Sequence, residues 1–65
     1  MRTLEEIALD IDEIEAVRLS DYKGMTQAEA AEKMNISQST FQRIIDSAHK
    51  KISEALIEGK AIRVI

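Results

Sequence analysis

Residues 26–45 read TQAEAAEKMNISQSTFQRII, and the architecture of the chain turns on how this stretch is parsed. Thr26 followed by Glu29 has the form of a capping box, in which each side chain satisfies a free backbone N–H. Ala28, Ala30, Ala31 and Met34 come next and predict a short helix over residues 27–34. Asn35 interrupts it, being one of the few non-glycine residues that tolerate a left-handed backbone. Ser37 is a further N-cap candidate, and the longest helix is predicted over residues 38–58. Phe41, Ile44, Ile45, Ala48, Ile52, Ala55 and Leu56 recur there at three- and four-residue steps and share one face.

A short helix, a tight turn and a second helix form the helix-turn-helix layout. Two steeply crossed helices need a small residue at the contact, and Ala31 supplies it with Ala30 in support. Asn35 accepts positive φ in the turn, and Ile36 is the apolar residue that plugs the corner. Phe41, Ile44 and Ile45 bury the second helix against the first. If such a motif binds DNA, the outward positions at the start of its second helix enter the major groove. Those positions are Ser37, Gln38, Ser39, Gln42 and Arg43, with Asp46 beyond them. Glutamine pairs with adenine through two hydrogen bonds and arginine with guanine, each good pair discriminating by about 1–3 kcal/mol. Thr26 and Thr40 are placed to reach phosphates, as are the backbone N–H groups of the helix starts. Lys50 and Lys51, farther along, are candidates to hold the DNA backbone.

Working outward, Asp10 and Glu13 repeat the capping-box spacing and predict a first helix over about residues 11–22. Its buried stripe is expected to be Ile11, Ile14, Val17 and Leu19, with Glu13, Glu15 and Asp21 outside. Gly24 and Gly59 stand where the first and third helices stop. Leu4, Ile7, Leu9 and Ile11 open the chain, and the alternation around residues 6–10 suggests a short strand. Residues 60–65, KAIRVI, alternate again. The two segments are expected to pair with each other or with those of a second subunit, because a lone ribbon is marginal in water.

Composition bounds the function. A chain of 65 residues makes one domain, and its core is aliphatic: 45% of residues are hydrophobic and there is no cysteine to form a disulfide or thiolate metal site. Tyr22 and Phe41 are the only aromatic residues, too few to stack single-stranded nucleic acid. No apolar run is long enough to span a bilayer and no signal peptide is expected, so a cytoplasmic protein is the default. Net charge is −3, unusual for a DNA binder, but residues 1–25 carry a net −4 and residues 26–65 a net +1. Nonspecific affinity should be modest, since few phosphates can be neutralised.

Plainer readings stand beside these. Ser-Gln-Ser-Thr is also ordinary capping chemistry, Arg43 with Asp46 an ordinary exposed pair, and Lys50 with Lys51 a solvated face. His49, the only histidine, lacks a second ligand at a useful spacing. No catalytic constellation, metal cluster or cofactor motif is present, and an enzyme is not expected.

With these residues placed, nearly the whole chain from Leu9 resembles a small prokaryotic family of uncharacterised proteins, the UPF0251 type. Their helix-turn-helix is similar to region four of sigma factors. The resemblance is carried most specifically by DEIEAVRL, MTQAEAAEKMNISQSTFQRII and ALIEGKAIRV. It implies a mainly α, three-helix DNA-binding domain with short terminal strands, acting as a transcriptional regulator. It also implies a longer N-terminal segment bearing basic residues and cysteine, which is not part of these residues. The output domain of response regulators is similar in its acidic first helix and short second one, but lacks the terminal strand GKAIRVI.

The expected function is sequence-specific binding of double-stranded DNA by a homodimer. The alternative, suggested by the net acidity and by Asp46, is a protein-interaction module that docks on RNA polymerase or another regulator without reading DNA.

Overall fold

The computed structural model describes residues 5–65; Leu4, counted among the opening apolar positions, lies outside them. Strand β1 (Glu6–Leu9) leads into helix α1 (Ile11–Val17), which continues as one turn of π-helix (Arg18–Tyr22). Helix α2 (Gln27–Met34), helix α3 (Gln38–Glu58) and strand β2 (Ala61–Val64) follow. The fold is thus mainly α, three helices with a strand at either end, as the sequence predicts.

Each helix begins where its capping residues dictate. Asp10 and Glu13 form a reciprocal capping box, as do Thr26 and Glu29, and the Ser37 side chain accepts from the Thr40 N–H. Asn35 takes φ 59°, ψ 44°, and ends α2 in a Schellman arrangement. Its N–H donates to Glu32 O, and the Ile36 N–H donates to Ala31 O, both at 3.0 Å. Ile36 then packs beside the core, so the corner between α2 and α3 is closed by three residues, Asn35 to Ser37. Gly59, at φ 67°, ends α3 in the same left-handed way.

The main core is a cluster of Ala16, Leu19, Ala30, Ala31, Phe41 and Ile45. Phe41, Ala16 and Ala30 are completely enclosed. With only methyl groups at Ala30 and Ala31, α2 leaves room for the Phe41 ring. β1 and β2 run parallel, with Ile7 opposite Ile62 and Leu9 opposite Val64. Pairing is therefore between the two ends of the chain, and Leu9 is buried against the helices.

Three details differ from the sequence expectation. The first helix spans the expected residues, but its last turn, with Leu19 buried, is π-wound, which apolar spacing does not mark. Ile11 is 71% exposed and Glu13 only 4%, the reverse of the expected stripe. Ile11 sits exposed at the first helical position, whereas Ser47 and Lys51 of α3 draw the Glu13 carboxylate inward. Leu56, placed on the core face by spacing, is 74% exposed because no described element covers that side of α3.

Replacing Ala30 by Leu should overpack this contact and destabilise the fold by about 1–3 kcal/mol. Urea unfolding should show it as a lower midpoint at unchanged slope; an unchanged midpoint would mean that the contact is not tight.

Candidate functional site

Helix geometry sorts α3 into faces. With Phe41, Ile45 and Ala48 turned to the core, Ser39, Arg43, Asp46 and Lys50 fall on the opposite ridge, at steps of four, three and four. All four are exposed, as are Ser37 and Gln38 at the leading end. Thr40 is half-buried on the flank toward α1, and Gln42 half-buried on the flank toward α2. The structure therefore brings Gln38, Ser39, Gln42 and Arg43 together over the first turns of α3. Thr26 is exposed at the start of α2.

Several of these side chains are already engaged. The Ser37 hydroxyl donates to Thr40 Oγ1 at 2.9 Å and lies 3.2 Å from Ser39 Oγ. Thr26 Oγ1 accepts from the Glu29 N–H at 3.2 Å. Gln27 Nε2 donates to Gln42 Oε1, and Gln42 Nε2 donates to Asp46 Oδ1 at 2.7 Å. Asp46 is thus paired with Gln42 rather than with Arg43.

The cations divide into two sets. Lys51 Nζ donates to Glu13 Oε1 at 2.9 Å. Lys60 Nζ lies 2.8 Å from Glu54, 3.2 Å from Glu58 and 3.4 Å from Glu5, and these carboxylates hold its pKa well above the usual lysine value. Arg18 pairs with Glu15, and Arg63 with Glu6. Among the described residues Lys23, Lys33, Arg43 and Lys50 make no ion pair, and two of those four stand on the α3 ridge. Lys51, read from sequence with Lys50, is instead half-buried and committed to α1.

Glu13 organises this side of the molecule. Burial pushes its carboxyl up, but the Ser47 hydroxyl at 2.6 Å, the Lys51 ammonium and the Asp10 N–H at 3.0 Å together bring it below the ordinary value of 4.5. It thereby ties the start of α1 to the middle of α3 and fixes the angle at which the ridge is presented. On the other side His49 Nε2 lies 2.7 Å from Asp21 Oδ2, linking α3 to the π turn; both side chains are about half exposed. The Gln27–Gln42, Glu13–Ser47 and Asp21–His49 links leave no mark in the sequence, since each joins positions 15 or more residues apart. Among the described residues no group of His, Asp or Glu is arranged to hold a metal, and no helix is long and apolar enough to cross a membrane.

Fold and site define a small three-helix domain whose longest helix presents a polar leading edge. The chain belongs to the family described as "Protein of unknown function DUF134", whose profile matches residues 1–65. It is 59% identical over 61 residues to a UPF0251 protein of Clostridium beijerinckii, covering 94% of this chain and 41% of that one. It is 54% identical over 59 residues to a UPF0251 protein of Prosthecochloris aestuarii, covering 91% and 38%. A UPF0251 protein of Thermoanaerobacter pseudethanolicus is 52% identical over 64 residues, covering 98% and 54%. The chain thus spans from about two fifths to just over half of the length of these relatives. No solved structure gives a significant match.

Because the folded pKa of Glu13 lies below its ordinary value, the stability it contributes is present above about pH 4.5 and is lost as pH falls through the folded value. Unfolding free energy should drop on acidification below that point, and less steeply in Glu13→Gln. Part of the slope remains in that variant, from Glu15, Glu29 and Glu54, whose partners also hold them low. Glu13→Ala should cost about 2 kcal/mol at neutral pH, through the lost cap and the unpaired Ser47 and Lys51. Identical pH profiles for wild type and Glu13→Gln would contradict this.

Proposed function

We propose that the chain binds double-stranded DNA in a sequence-specific way, with the first turns of α3 in the major groove, and that it regulates transcription. The observation that carries this reading is the exposed leading edge of α3, where Gln38, Ser39 and Arg43 face outward beyond a closed corner. Arg43 has the reach and the donors to pair with a guanine edge, and it makes no ion pair among the described residues, although Asp10, Asp12 and Glu13 line the same surface recess. Lys50, two turns along the ridge, is placed for a phosphate. The capped starts of α2 and α3, at Thr26 and Ser37, add backbone N–H groups suited to the same task.

A second copy of the chain fits this reading. Parallel sheets are normally covered on both faces, and a two-stranded ribbon is marginal alone. Here Ile62, Val64 and Ile65 are 44–63% exposed and Ile57, near the same end, 85%. The same apolar surface, with the net charge of −3, favours the second reading, in which a protein such as RNA polymerase covers it.

Binding to duplex DNA should weaken with salt, and the four cations that make no ion pair among the described residues contribute a log–log slope of at most about −4 per subunit. Arg43→Ala should cost about 1–3 kcal/mol on the specific site. Lys50→Ala should flatten the salt slope by about one, and Lys51→Ala much less, because Glu13 already holds that charge. A titration by fluorescence anisotropy reads all three. Binding indifferent to salt, or unchanged in Arg43→Ala, would contradict the proposal.

A further inference from the structure

Gln27 opens α2, well away from the ridge of α3, yet its side chain belongs to a hydrogen-bond chain that crosses between the helices. Gln27 Nε2 donates to Gln42 Oε1, and Gln42 Nε2 donates to Asp46 Oδ1 at 2.7 Å. The direction of this chain is fixed by its last member. A carboxylate only accepts, so Asp46 requires the NH2 end of the Gln42 amide. That leaves the carbonyl end toward Gln27, which must then donate. A residue that would otherwise repel phosphate has a defined task in this arrangement.

A primary amide has two donors and two acceptor sites. One of each is used within the chain, and one N–H and one lone pair of Gln42 remain. That remaining pair is the set an adenine edge requires, a donor for N7 and an acceptor for the N6 amino group. We infer that Gln27 is a positioning residue that, with Asp46, holds the Gln42 amide in one orientation for reading an A·T pair. The inference rests on the DNA-binding proposal above. An unbraced glutamine on this surface samples several rotamers and both amide orientations, and ordering it on binding costs affinity. Bracing removes part of that cost and selects one hydrogen-bonding polarity in advance.

The test is selection of duplex sites from a randomised pool by the 65-residue chain, as wild type and as Gln27→Ala, Gln27→Lys and Gln42→Ala. Affinity for random duplex and thermal unfolding are measured alongside. Wild type should prefer A·T at one position by about tenfold or more, and Gln42→Ala should lose that preference. Gln27→Ala should reduce it by about threefold to tenfold, with random-duplex affinity and melting unchanged. Gln27→Lys keeps a donor for Gln42 Oε1 and should retain most of it, an outcome that a purely structural role for Gln27 does not produce. A preference abolished in Gln42→Ala but intact in Gln27→Ala would overturn the inference and leave DNA reading standing. Failure of wild type to bind any duplex at low salt would overturn the reading itself, and this inference with it.

Discussion

The enclosure of the Phe41 ring between α3 and the two alanines of α2 is the contact on which the rest depends. Ala30 and Ala31 present methyl groups where any longer side chain would hold the helices apart, and Ala16 and Leu19 complete the cage from the first helix. Once Phe41 is turned inward, helical geometry places Ser39, Arg43 and Lys50 on the opposite side. The polar ridge is therefore a consequence of the packing and needs no separate device to expose it.

Polar ties then set how the ridge is presented. Glu13 reaches from α1 to Ser47 and Lys51, and Asp21 reaches from the π turn to His49, so α3 is gripped on both flanks. Lys60, among Glu5, Glu54 and Glu58, fastens the end of α3 to the start of β1. These ties consume Lys51 and Lys60 and concentrate the remaining positive charge on few positions. A net charge of −3 thereby coexists with a leading edge on which Arg43 makes no ion pair among the described residues. The ribbon leaves Ile62, Val64 and Ile65 open.

Much of this was legible in the sequence because it is local. Capping boxes at Asp10–Glu13 and Thr26–Glu29, the cap at Ser37, the left-handed Asn35 and the stop at Gly59 each act within a few residues. The helix and strand limits follow from them. What escaped depends on contacts distant in the chain. The outward assignment of Glu13 failed because its partners Ser47 and Lys51 are more than 30 residues away. Leu56 shares the spacing of the core face, but spacing does not show where covering elements end. The π winding of residues 18–22 leaves no periodic mark of its own. The exposure of Gln38, Ser39 and Arg43 was readable from helix spacing, whereas the Gln27–Gln42–Asp46 chain needed three dimensions.

Family membership extends over all 65 residues but adds no chemistry, since the relatives share the description rather than an activity. The account stands on whether the leading edge of α3 is the surface that meets DNA. The most direct measurement is amide and side-chain NMR of the chain titrated with duplex DNA at low salt. Chemical-shift changes are predicted to centre on Gln38, Ser39, Gln42 and Arg43, with the caps at Thr26 and Ser37 following. Changes centred instead on Ile57, Ile62 and Val64, or none at all, would contradict it.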